Sequence, residues 1–69
     1  MAPSSATGSG GEIFIEFVIQ GNVAKATAID PATGLEASVM GPANAPRATL
    51  ADAARRKLDY LRRKQNGGD

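Results

Sequence analysis

Three short runs alternate apolar with polar residues, each ending in turn-forming residues, and a single stretch of helical periodicity follows them. The first run spans Glu12 to Gln20 and meets Gly21-Asn22. The second spans Val23 to Asp30 and meets Pro31-Ala32-Thr33-Gly34, and the third spans Leu35 to Met40. Period-two alternation bounded by Gly, Pro and Asn predicts strands joined by hairpins. Gly21-Asn22 suits a two-residue hairpin of type II′, which sets Gln20 opposite Val23, Ile19 opposite Ala24, Phe17 opposite Ala26 and Ile15 opposite Ala28. The four-residue turn, with Pro31 pre-setting φ, Asp30 bonding the backbone ahead and Gly34 free to take positive φ, sets Asp30 opposite Leu35, Ala28 opposite Ala37 and Ala26 opposite Val39. Both turns assign their apolar residues to one face: Ile15, Phe17 and Ile19, then Ala24, Ala26 and Ala28, then Leu35, Ala37 and Val39.

The central strand offers only alanine to that face, so the predicted sheet is a shallow trough suited to a helix. Gly41-Pro42-Ala43-Asn44-Ala45-Pro46 turns the chain toward one. Thr49 reads as its N-cap, with Asp52 three residues on, and Asn66-Gly67 as its stop. Leu50, Ala53, Ala54, Lys57, Leu58 and Leu61 fall on one stripe, with Tyr60 at its border. Lys57 would lay its stem along the sheet and keep its ammonium in water. The expected fold is therefore α+β: a three-stranded antiparallel meander, order 1-2-3, with a Thr49–Gln65 helix across one face (βββα).

The other sheet face is mixed. It carries Glu12, Glu16, Lys25, Thr27, Glu36 and Ser38, but also Phe14 opposite Ile29, with Val18 and Met40 near them. Scattered surface hydrophobes are one reading of this face. A partner-binding or dimerisation surface made of Phe14, Val18, Ile29 and Met40 is the other.

Composition narrows the chemistry. Residues 1–11 (MAPSSATGSGG) hold no large apolar side chain and read as a disordered tail; 12–65 read as the domain and 66–69 as a flexible C-terminus. The chain has 69 residues, no Cys and no His, which leaves no thiolate or imidazole for metal binding or catalysis. No run reaches the ~18 apolar residues of a membrane span, and the N-terminus lacks the basic and apolar regions of a secretory signal. The expectation is a cytoplasmic protein with no catalytic residues, no cofactor and no metal. Glu12, Glu16 and Glu36 lie on a face without the pocket that would shift a carboxylate into acid/base work. Gly8-Ser9-Gly10-Gly11 precedes a strand rather than a helix and lacks the Lys-Ser/Thr pair of a phosphate-binding loop.

Charge is segregated. Residues 1–46 set Lys25 against Glu12, Glu16, Asp30 and Glu36, a net of −3; residues 47–69 set seven basic against three acidic groups, a net of +4. Arg55-Arg56-Lys57 recurs as Arg62-Arg63-Lys64, so a basic face could meet nucleic-acid phosphates or an acidic partner through Arg55, Arg56, Arg62, Arg63 and Lys64. Asp52–Arg56 and Asp59–Arg63 at i,i+4, and the dipole complementarity of basic residues in the last turn, explain the same residues as a solvated helix face.

Ile15-Glu16-Phe17, Gly21-Asn22, Thr27 to Glu36 with its Asp-Pro-Ala-Thr-Gly turn, Gly41 to Pro46, and Arg56 to Leu61 together resemble a family of short bacterial, proteobacterial-type proteins of unknown function. The resemblance implies a compact cytoplasmic domain and carries no activity or site to transfer. It also implies a thinner core than usual, because bulkier residues are common where this chain has Ala24, Ala26 and Ala37. The function expected is a small non-enzymatic protein-interaction or homodimerisation module, docking through the mixed sheet face or an edge strand. Nucleic-acid or acidic-partner binding by the basic helix is the alternative.

Overall fold

A computed structural model of the chain describes residues 12–65; the N-terminal tail and the Asn66-Gly67 stop lie outside them. Strand β1 (Phe14–Gln20) pairs antiparallel with β2 (Val23–Ile29), which pairs antiparallel with β3 (Glu36–Pro42), giving the order β1-β2-β3. The helix α1 (Arg47–Arg63) follows. The registers are those expected from the two turns, from Gln20↔Val23 to Phe14↔Ile29 and from Val23↔Pro42 to Ile29↔Glu36.

Each turn owes its form to particular residues. Gly21 sits at φ 58 and Gly34 at φ 82, left-handed conformations that a Cβ would penalise. In the second turn the Gly34 N–H donates to the Asp30 carbonyl at 2.8 Å, and the Ala32 N–H donates to Asp30 Oδ1 at 2.9 Å. The Asp30 N–H closes the loop onto the Leu35 carbonyl at 2.9 Å.

The helix departs from expectation at its start. It begins at Arg47 rather than after Thr49, and Pro46, extended at φ −60 and ψ 135, occupies the N-cap position without a side-chain cap bond. The Pro46 carbonyl accepts from the Thr49 and Leu50 N–H groups at 3.1 and 3.3 Å, so Thr49 is already inside the first turn. Asp52 reaches forward to Arg56 instead of back to a cap. The regular helix also ends at Arg63, two residues short of Gln65, with Lys64 as its C-cap.

Helix α1 packs across β2 and β3 and leaves β1 to one side. Leu50, Ala54 and Leu58 bury themselves against Ala24, Ala26, Ala28 and Ala37. Ala51, off the expected stripe, is also buried, whereas Lys57, on it, is exposed and Ala53 only half-buried. Sheet height contributes to the helix's position: β2 presents only alanines, and β3 sets the small Ala37 and Gly41 on either side of Val39. At Gly41 an added Cβ would lie 2.8 Å from Leu50 Cδ2, so the glycine is what lets Leu50 settle onto the sheet. Gly41→Ala is expected to push Leu50 out of its place and lower the unfolding free energy by about 1–2 kcal/mol, measured by urea denaturation. An unchanged midpoint would mean Leu50 repacks freely.

Candidate interaction surface

Strand β1, Phe-Ile-Glu-Phe-Val-Ile-Gln, holds five large apolar side chains and not one buried residue. On the face turned away from the helix, Phe14 is 53% and Val18 49% exposed. On the helix side, Ile15 and Phe17 are half-buried and Ile19 is 48% exposed. The cause is the offset of α1. A helix ~10 Å wide covers about two strands spaced ~4.8 Å apart, and here it covers β2 and β3. A shallow groove results between the start of β1 and the helix, lined by Ile13, Leu58, Arg55, Arg56, Asp59 and Arg62. Further along, the Arg47 guanidinium lies 5.1 Å from the centre of the Phe17 ring, a cation–π contact on the same flank.

The outer sheet face brings the expected interface residues together only in pairs. Phe14 lies opposite Ile29 at one end, while Val18, Lys25 and Met40 form a row nearer the other. Between these rows Thr27 Oγ1 and Ser38 Oγ share a hydrogen bond of 2.8 Å, which sets a polar strip across the middle of the sheet. Met40 is the most exposed of the four at 68%; Ile29 is half-buried. The apolar area of this face is therefore divided in two, and each part includes a β1 residue.

The two sheet edges are unlike. With a two-residue loop, Gln20 and Val23 form a hydrogen-bonded pair, so alternate residues Phe14, Glu16, Val18 and Gln20 turn their backbone groups toward β2. Ile15, Phe17 and Ile19 turn theirs outward. The same alternation through β2 turns the backbone of Ser38 and Met40 outward from β3. That edge is guarded. Lys57 Nζ donates to the Ser38 carbonyl at 2.9 Å, and Pro42, at another outward position, has no N–H to offer. A lysine and a proline are standard means of blunting an edge strand. Among the described residues β1 has neither.

The basic residues of α1 are largely engaged within the chain. Arg56 pairs with Asp52 at 3.2 Å and Arg63 with Asp59 at 2.9 Å, both as exposed i,i+4 pairs. Arg62 reaches back to the sheet, its Nε 3.3 Å from Oδ2 of Asp30, whose side chain is only 2% exposed. Lys64 Nζ lies 5.7 Å from the centre of the Tyr60 ring. Of the five residues expected to contact an anionic partner, Arg55 and Lys64 alone make no ion pair among the described residues. The Asp30–Arg62 pair was not anticipated, although the sequence held a signal for it. Asp30 continues the Ala24-Ala26-Ala28 series on the helix side, and an acid aimed at a helix needs a basic partner on it.

Among the described residues no three Asp or Glu side chains come together as a metal site, and no helix is long and apolar enough to cross a membrane. A three-stranded meander backed by one offset helix, one edge guarded and the other open, thus defines a small α+β domain. The model of a domain of unknown function, DUF6898, matches residues 10–65, and the chain belongs to that family. No curated protein and no solved structure matches the chain.

Proposed function

We propose that this domain is a cytoplasmic, non-enzymatic protein-interaction module that docks through β1. One observation carries the reading: the most apolar strand of the chain is the one with no buried residue. In so small a domain, apolar area is scarce, and leaving Phe14, Val18 and Ile19 about half exposed forgoes stabilisation of ~25 cal/mol per Å² of surface left in water. A partner strand would recover that area and satisfy the outward backbone groups at the same time.

Photo-crosslinking in cells tests this residue by residue. A photoreactive amino acid at Val18 or Ile19 is expected to give a discrete adduct, while the same group at Arg55 or Lys64 gives little. Adducts confined to the helix positions, or none at β1, would overturn the reading and return attention to the basic face.

A further inference from the structure

Resting on that reading of β1, we infer that the partner is a second copy of this chain, joined β1 to β1 in antiparallel register with Phe17 on the two-fold axis. The residues that turn their backbone outward are Ile15, Phe17 and Ile19. In this register Phe17 pairs with Phe17 of the other copy and Ile15 with its Ile19, and each pair exchanges two backbone hydrogen bonds. Two sheets of three strands become one of six, and the only edges left are the guarded β3 edges.

The helix offset matches this occupant. With each helix centred between β2 and β3, its axis stands about two strand spacings from the two-fold axis, so the helix axes lie about 19 Å apart. Subtracting a helix width of ~10 Å leaves a trough about 9 Å wide. That is room for one layer of side chains, and Ile15, Phe17 and Ile19 of both copies would fill it.

Charge complementarity picks out the same register on the outer face. Glu16 and Lys25 make no ion pair among the described residues. Val18 lies opposite Lys25 within the chain, and the proposed pairing sets Glu16 of the other copy on its far side. Lys25 and the second copy's Glu16 then flank Val18 in one cross-strand row, close enough for the lysine to reach across it, and symmetry repeats the arrangement. Opposite charges across paired strands stabilise the pairing; like charges there oppose it.

Light scattering on the full chain over a concentration series, with amide hydrogen exchange, tests the inference. The mass is expected to rise from 7.1 kDa toward twice that value, with the Ile15, Phe17 and Ile19 amides gaining protection in step. Glu16→Lys is expected to weaken association about tenfold, and Glu16→Lys with Lys25→Glu to restore most of it. Ile19→Lys, at an exposed position, should give a folded monomer by circular dichroism. A monomer at every concentration, with those amides exchanging fast, would overturn the second copy as partner while leaving β1 open for another protein. A dimer insensitive to Ile19→Lys and Glu16→Lys would overturn the pairing and β1 docking together. Protection of the β1 amides in a monomer would do the same, because another segment of the chain would then cover the edge.

Discussion

Leu58→Ala is expected to lower the unfolding free energy by about 3–5 kcal/mol. Among the described residues Leu58 is the largest apolar side chain in full burial, 1% exposed, and it belongs to the core cluster between α1 and the sheet. The buried sheet residues of the same cluster are Ala24, Ala26, Ala28 and Ala37, whose methyl groups are fixed to the backbone and cannot swing in to fill a void. The removed atoms leave a void that these alanines cannot fill, which adds a cavity cost to the lost burial. A domain of this size has a total stability on the order of 5 kcal/mol, so the variant should keep only about 0–2 kcal/mol and begin to unfold at the lowest urea concentrations. Circular dichroism during a urea titration measures this directly. Phe17→Ala provides the contrast. Phe17 is half-buried at the flank of the core, so its loss should cost about 1–2 kcal/mol in dilute solution. If β1 pairs with a second copy, the cost should grow with protein concentration. Equal costs for Leu58 and Phe17 in dilute solution would show that the core extends fully over β1.

The contrast between these residues marks how far the sequence could be read. The hairpin loops are set by local chemistry at Gly21, Asp30 and Gly34, and register follows from loop length, so both strand pairings are legible in the sequence. The apolar face followed from register. The share of burial each strand receives did not, because a helix spans about two strands and periodicity is silent on which two. The alanines of β2 mark a trough for the helix, and the structure lays it there; its displacement toward β3 rather than β1 is what periodicity leaves open, and Ala37 and Gly41 let the helix approach on that side. Small residues set the site of closest packing. The helix start at Arg47 escaped for a related reason: Pro46 ends the extended connector, and beginning the helix directly after it carries Leu50 and Ala51 into the core. For the candidate surface, Phe14, Val18, Ile29 and Met40 were visible from alternation. The inequality of the two edges was not, since Lys57 meets the Ser38 carbonyl only once the helix is laid over β3.

Asp30→Ala is the second large loss expected, about 2–4 kcal/mol, and it comes from one carboxylate serving both turn and helix. Oδ1 accepts from the Ala32 N–H at 2.9 Å, which holds the Asp-Pro-Ala-Thr-Gly turn in shape. Oδ2 lies 3.3 Å from Arg62 Nε, tying the last turns of α1 to the β2–β3 connection. The carboxylate is 2% exposed, so its two interactions form largely out of competition with water, although Ala32 and Arg62 themselves keep access to solvent. Two further variants separate the roles. Asp30→Asn keeps an oxygen for Ala32 and removes the charge, and should cost about 1 kcal/mol, because Arg62 is 36% exposed and partly solvated. Arg62→Gln leaves the buried carboxylate with the Ala32 N–H alone and should cost about 1–2 kcal/mol. The double variant should cost less than the sum of its parts, since the ion pair can be lost only once. Urea denaturation at low and high salt gives all these values. If Asp30→Ala proved no worse than Asp30→Asn, the Ala32 bond would contribute nothing and the turn would be held by Pro31 and Gly34 alone. If the double variant were additive, Arg62 would be a solvated cation that happens to rest near Asp30, and it would return to the set of residues free to meet an anionic partner.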